Sequence, residues 1–168
     1  MAQNLRKYKG VRPIPELQGL SEITIDNNFT DWDDIDVEYR DTQGDVFHRD
    51  YPGYGGMHYT NDSGRNDIIT AKVAVDKENV YFYIETASPL SPYTDNNWML
   101  LLIDADQDHG TGWYGYDYLV NKSVVDSDTT TLMKYKGDGE EGTWKEVAQL
   151  DYRYIGNTLE LAIPRRQL

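Results

Sequence analysis

The chain has 168 residues, no cysteine and a net charge of −13, from 29 acidic and 16 basic side chains. This charge argues against a nucleic-acid or anionic-membrane surface, because both require a basic face. The absence of cysteine excludes disulfides, thiolate catalysis and Cys-ligated metals. No apolar run approaches the ~18 residues of a membrane-spanning helix. Fourteen tyrosines and four tryptophans favour sheets and exposed stacking surfaces over helix bundles.

The N-terminal part of the chain is rich in residues that break regular structure. Residues 1–19 are predicted to be an irregular lead-in, interrupted by Pro13, Pro15 and Gly19. A first strand is predicted at 23–25, where Ile alternates with polar residues. Residues 40–67 are long and weakly patterned, and such segments are usually functional or mobile. They are expected to form either a ligand platform or a lid over one end of the sheet, with three candidate tyrosines: Tyr51, Tyr54 and Tyr59.

Strand patterns dominate the chain from residue 68 onward. Residues 68–86 predict a hairpin that turns at 76–79 and buries one face. The apolar run 98–103 predicts a central strand covered on both faces. Further strands are predicted at 116–125 and 132–135, and 144–154 is predicted to pair with 158–163 across Gly156-Asn157. Because no window has helical periodicity, residues 20–168 are expected to form one antiparallel β-sandwich, jelly-roll or immunoglobulin-like, with little or no helix.

An acidic loop follows the apolar run, with carboxylates at every second position. Asp104, Asp106 and Asp108 enter a turn containing Gly110 and Gly112, and Asp117 is a plausible further ligand. Hard cations such as Ca²⁺ prefer several oxygen ligands of this kind. The alternative is an acidic turn whose carboxylates accept hydrogen bonds from the loop's own backbone.

This loop departs from the EF-hand pattern. His109 occupies the sixth position, where an EF-hand requires glycine, and Gly115 occupies the twelfth, where it requires a bidentate glutamate. A cation would therefore be held between two strands, in a structural rather than a catalytic role.

Aromatic side chains adjoin the Gly-rich loops and are candidates for stacking on sugar rings. Those proposed to bind carbohydrate are Trp113, Tyr114, Tyr116, Trp144 and Tyr54. Tyr116 and Tyr118 have an alternative role as packing residues of a sheet face, and for Trp98 the core is the stronger interpretation.

No catalytic constellation stands out. The three histidines form no zinc-binding pair, and nucleophile elbows and phosphate-binding loops are absent. Glu85 and Glu160 lie in the middle of predicted strands, where they are expected to face outward rather than to form a glycosidase pair. The chain is therefore predicted not to be an enzyme by itself.

Four segments together resemble the family-9 carbohydrate-binding modules and related domains attached to bacterial glycoside hydrolases. They are ITIDNNFTDW (23–32), AKVAVDKENVYFYIET (71–86), NWMLLLIDADQDHGTGWYGYDYLVN (97–121) and LELAIPRRQL (159–168). The most specific part is the pattern DADxDxxTGWxGYDYxxN.

The resemblance implies a β-sandwich with structural calcium and a non-catalytic place beside a catalytic domain in a polysaccharide-degrading enzyme. Calcium ligation carries over to Asp104, Asp106 and Asp108, and less directly to Asp117. Such domains are secreted, periplasmic or on the cell surface, and a monomer that binds a poly- or oligosaccharide is expected. Members of the family continue past the IPR segment into another strand, so truncation at the C-terminus is also an expectation.

Three other functions remain open from the sequence. The first is a structural or interaction domain that supports a neighbouring hydrolase without binding sugar. The second is a haem-binding redox domain, for which Met57-His58 is the only local hint. The third is a free-standing glycosidase.

Overall fold

A computed structural model describes residues 19–52, 58–137 and 143–168. Within these ranges the helical structure consists of single 3₁₀ turns at Phe29–Trp32 and Arg165–Gln167. Ten strands make up the rest of the regular structure: β1 Glu38–Arg40, β2 Arg49–Pro52, β3 His58–Asn61, β4 Ile68–Val75, β5 Asn79–Thr86, β6 Leu101–Ile103, β7 Tyr118–Val124, β8 Thr129–Tyr135, β9 Trp144–Ile155 and β10 Thr158–Pro164. The predicted all-β class is confirmed.

Eight of the strands form one curled antiparallel sheet in the order β1-β4-β5-β10-β9-β8-β7-β6. The twelve-residue strand β9 belongs to both halves of this sheet. Its residues 144–151 pair with β8, whereas Tyr152–Ile155 pair with β10. Strands that pass from one layer to another in this way form the corners of sandwich folds. The architecture is therefore consistent with the expected antiparallel sandwich.

The main core lies on one face of the curled sheet. Alternate residues of β10 point into it, as the period of two along a strand requires. The segment between β5 and β6 covers this face with Leu90 and Trp98, and the Trp98 ring packs edge-on against Tyr152 and Tyr154. The other buried members are Tyr118, Val120, Leu132, Leu150, Leu159, Leu161 and Ile163.

A second apolar cluster covers the opposite face of β4, β5 and β10. Residues 19–37 cross this face and bury Ile23 and Trp32 against Ala74 and Tyr81. The Trp32 ring lies 5.3 Å from that of Tyr83, where burial raises the tyrosine pKa to about 12. This part of the sheet is thus covered on both sides.

Two sequence predictions about individual turns are confirmed. The hairpin β4–β5 turns at residues 76–79, where Asp76 accepts hydrogen bonds from the Glu78 and Asn79 amides and from the Tyr81 hydroxyl. The hairpin β9–β10 turns at Gly156-Asn157.

Three predictions about the sheet are wrong. Residues 23–25 form no strand, although Ile23 is buried as an apolar side chain should be. The run 98–103 is not a central strand, because only Leu101–Ile103 is extended and β6 lies at one end of the strand order. The 68–86 hairpin buries side chains on both faces, because residues 19–37 cover the second one.

Strands β2 and β3 form a separate two-stranded hairpin within the segment predicted to be long and weakly patterned. Tyr51 and Tyr59 lie opposite each other on it, and each is nearly half exposed. Among the described residues, no helix is long and apolar enough to cross a membrane.

Candidate functional site

The acidic loop joins the two strands at one end of the sheet. Asp104 comes directly after β6 and Asp117 directly before β7, and these strands pair through Ile103 and Tyr118. The Asp117 amide donates to the Ile103 carbonyl at 2.8 Å. The pairing therefore brings two carboxylates from distant points of the loop to the same place.

Three of the four predicted metal ligands come together. One carboxylate oxygen each from Asp104, Asp106 and Asp117 lies within 4.8 Å of the others. Asp108 is not in this group, and its Oδ1 instead accepts the Gly110 amide at 2.8 Å. Asp117, the least direct candidate in the sequence, is therefore better placed than Asp108.

The loop also satisfies part of its own acidic charge. Asp104 Oδ1 accepts the Gln107 amide at 2.6 Å, and Asp117 Oδ2 accepts the Ala105 amide at 2.9 Å. Asp106 accepts the Thr111 hydroxyl and the Asp108 amide. Bonds of this kind are those expected of a self-capped acidic turn. The oxygen-only set also fits the ligand preference of a hard divalent cation.

A tight two-residue hairpin ends the loop and presents two aromatic side chains. Trp113 and Tyr116 exchange both backbone hydrogen bonds, at 2.8 and 3.0 Å. Tyr114 and Gly115 between them have φ of +53° and +93°, the signature of a type I′ turn. Gly112 is required just before it, because a Cβ there would lie 2.3 Å from the Tyr116 carbonyl oxygen.

The aromatic residues beside the loop form a connected group, here called the aromatic platform and defined as Trp113, Tyr114, Tyr135 and Trp144. Ring centroids are 5.1 Å apart for Trp113 and Tyr114, 6.3 Å for Trp113 and Trp144, and 5.5 Å for Tyr135 and Trp144. All three pairs are edge-to-face. Trp113 is 40% exposed and Tyr114 63%. The platform is therefore ordered by ring contacts, with Trp113 and Tyr114 exposed and Tyr135 and Trp144 partly buried.

The predicted carbohydrate-binding residues fall into three groups. Trp113, Tyr114 and Trp144 share the platform. Tyr116 lies opposite Trp113 in the tight hairpin and is 38% exposed. Tyr54 lies outside the described residues.

Sequence reasoning missed Tyr135, which joins the platform as the direct cross-strand partner of Trp144. Only the register of β8 against β9 could have revealed it. By contrast, the core interpretation of Trp98 and the packing role considered for Tyr118 are correct, since these residues are 1% and 2% exposed.

Glu160 does not face outward as predicted. It is fully buried, and its carboxylate accepts hydrogen bonds from Trp32 Nε1 at 3.0 Å and from the Asp26 and Asn27 amides at 3.1 Å. Burial raises the pKa of Glu160, while these three donors act in the opposite direction. The contacts attach residues 19–37 to β10, which is a structural role.

The residues behind the haem alternative are only partly described. Met57 lies outside the described residues. His58 Nε2 contacts the Asp50 carboxylate on the exposed β2–β3 hairpin.

Comparisons with protein-family models, curated proteins and solved structures found no match for this chain.

Proposed function

We propose that this protein is a non-catalytic carbohydrate-binding domain that accompanies a polysaccharide-degrading enzyme. The observation that carries the proposal is the aromatic platform, which combines exposure with fixed ring geometry. Sugar rings stack their C–H faces on flat aromatic side chains, and such side chains bring large contact area at small conformational cost.

The geometry of the platform supports binding to an extended chain rather than enclosure of a single ring. Its members run from the loop hairpin through Trp113 and Trp144 to Tyr135 on β8, with neighbouring centroids 5 to 6.5 Å apart. Neighbouring ring planes are inclined by 65–80°, so each exposed ring would stack on a separate residue of a poly- or oligosaccharide.

The acidic loop has a supporting role in the proposal. A divalent cation, Ca²⁺ by the chemistry of the ligands, would be held by Asp104, Asp106 and Asp117. It would neutralise the repulsion between the three carboxylates and fix the loop that carries Trp113 and Tyr114. The proposal also includes export from the cell and attachment to a hydrolase domain. Both are implied by the sequence resemblance.

Isothermal titration calorimetry against a panel of plant and host glycans tests the proposal. At least one neutral glycan is expected to bind, and Trp113→Ala and Trp144→Ala should each weaken that binding at least tenfold, or about 1.4 kcal/mol. Tyr39→Ala is the matched control, because Tyr39 is 62% exposed on β1 at the other end of the strand order. It should bind like the unmodified protein.

A folded protein that binds nothing in the panel would contradict sugar binding. The platform would then fit the alternative, a structural domain that docks on a neighbouring hydrolase. In that case the hydrolase should melt at a lower temperature without this domain, and Trp113→Ala should reproduce part of the loss.

A further inference from the structure

The β2–β3 hairpin carries a second group of ligand-like side chains, away from the acidic loop. Arg49 lies directly opposite Asn61, and Tyr51 directly opposite Tyr59. Because side chains alternate between the two faces of a strand, all four project from the same face. The residues around a cavity of about 340 Å³ are Arg49, Tyr51, Tyr59, Thr60 and Asn61.

The two tyrosines supply an apolar surface that the described part of the chain leaves exposed. Tyr51 is 49% exposed and Tyr59 46%, with ring centroids 6.5 Å apart. A cross-strand aromatic pair adds little to the stability of a two-stranded hairpin, which is marginally stable by itself. Stability alone is thus a weak reason for two exposed rings at this position.

Arg49 gives this face its charge. Its Nε donates to the Asp45 carbonyl at 3.3 Å, which anchors the side chain. The distance from Nη2 to the Asp45 carboxylate is 3.8 Å, too long for a hydrogen bond, and such exposed pairs contribute little. The weak contact of Nη2 with the Asp45 carboxylate can therefore be exchanged for a ligand carboxylate at small cost, and the planar guanidinium matches a carboxylate bidentately.

Asn61 supplies a polar group of fixed orientation beside the arginine. Its Oδ1 accepts the Ser63 amide and hydroxyl at 3.1 and 3.0 Å. The amide nitrogen is therefore what Asn61 offers to a ligand, as a donor for hydroxyl or carboxylate oxygens. The contact between Asp50 and His58 lies on the opposite face of the hairpin.

We propose that this face of the hairpin binds an acidic sugar, with a uronic acid ring stacked on Tyr59 beside the edge-on ring of Tyr51 and its carboxylate paired with Arg49. Arg49 is the only charged residue that lines the cavity in the described part of the chain. A neutral sugar could use the tyrosines but would leave the guanidinium without its best partner. The site shares no residue with the aromatic platform. It does not depend on the function proposed for the platform.

Short oligogalacturonate is the probe, because the net charge of −13 would repel a long polyanion. Its methyl-esterified form is the matched neutral ligand. By calorimetry at physiological salt, the unmodified protein should bind the acid at least fivefold more tightly than the ester. Arg49→Gln should abolish that preference, whereas Arg40→Gln, which changes an exposed arginine on β1, should keep it.

Two further variants separate the tyrosine contact from folding and from the first site. Tyr59→Phe keeps the ring and should keep binding, whereas Tyr59→Ala should lose it. The double variant Trp113→Ala/Trp144→Ala should still bind oligogalacturonate. The proposal is overturned if the acid does not bind, if Arg49→Gln binds it unchanged, or if only the double variant loses it.

Discussion

Tyr114 occupies a backbone conformation that its residue type disfavours. With φ of +53° it holds the first central position of a type I′ turn, where Asn, Asp or Gly is usual. A non-glycine residue in this region costs on the order of 1 kcal/mol. The side chain is also 63% exposed and packs edge-on against Trp113. Strain at an exposed aromatic residue is the pattern expected where a side chain serves binding rather than stability.

Replacement of Tyr114 by asparagine should therefore have opposite effects on stability and on binding. Tyr114→Asn is expected to raise the free energy of unfolding by about 1 kcal/mol, because Asn tolerates the left-handed region. It should also weaken glycan binding in the panel described above. Urea unfolding and calorimetry measure the two effects.

Tyr116→Ala provides the control, since Tyr116 is exposed in the same turn without a positive φ. No gain in stability is expected from it. If Tyr114→Asn leaves the free energy of unfolding unchanged, the backbone strain inferred at Tyr114 is contradicted.

The segment 19–37 shows how an element can be predicted wrongly while its sequence pattern is informative. The alternation around Ile23 resembled a strand, but its apolar residues bury against the outer face of β4, β5 and β10 without strand pairing. Side-chain acceptors take up the backbone donors here: Asp31 Oδ2 accepts the Thr24 amide at 3.0 Å, and the buried Glu160 accepts the Asp26 and Asn27 amides just after it. Local periodicity does not contain this information, since Glu160 lies more than a hundred residues away.

The attachment of this segment should depend on pH in a direction set by Glu160. Its raised pKa means that the folded state favours the protonated form, so its contribution to stability is largest below the ordinary pKa and is lost as the pH rises through the raised one. The free energy of unfolding of the unmodified protein minus that of Glu160→Gln should therefore fall as pH rises from about 4.5. Denaturant titrations at closely spaced pH values measure this difference.

Because all three partners are donors, a carboxylate satisfies them and an amide does not. These three hydrogen bonds favour the ionised form, so they limit but do not cancel the stability that burial of Glu160 costs at higher pH. If the free energy of unfolding of the unmodified protein minus that of Glu160→Gln rises with pH, the hydrogen bonds to Glu160 outweigh its burial. Glu85→Gln, on the neighbouring strand β5, is the control.

At the scale of the whole molecule, the sequence predicts the fold class but not the strand order. Absence of helical periodicity and well-marked turns at 76–79 and 156–157 were sufficient for an antiparallel β fold. The run 98–103 was misassigned because Trp98 enters the core from the connection that precedes β6, while Met99, with φ of +45°, lies outside the strand. Burial alone did not distinguish a central strand from a short edge strand behind a buried tryptophan.

Only part of the candidate site can be predicted from the sequence, because the rest depends on which strands pair. Asp104 and Asp106 were evident from their spacing, whereas the better placement of Asp117 over Asp108 depends on how β6 pairs with β7. Tyr135 needed the register of β8 and β9. Residue type and spacing identify candidates, and long-range pairing selects among them.

Cation binding is expected to stabilise the whole molecule. After chelation, Ca²⁺ at one hundred times its dissociation constant should add about 2.7 kcal/mol, or roughly 5–10 °C in melting temperature for a domain of this size. Asp106→Asn should lose this shift. Asp108→Asn makes the same charge change in the same loop but lies outside the carboxylate group, so it should keep the shift. Calorimetric melts with and without Ca²⁺ test both, and a shift lost equally in the two variants would contradict the assignment.

The double pairing of β9 has a consequence for how free energy is shared across the fold. One continuous strand supplies hydrogen-bonding partners to β8 along residues 144–151 and to β10 along Tyr152–Ile155. Neither half of the sheet can come apart without leaving part of this strand unpaired, so the two halves are coupled as one cooperative unit. A ligand held at the aromatic platform would therefore also protect the distant contacts of Glu160, although it touches none of them.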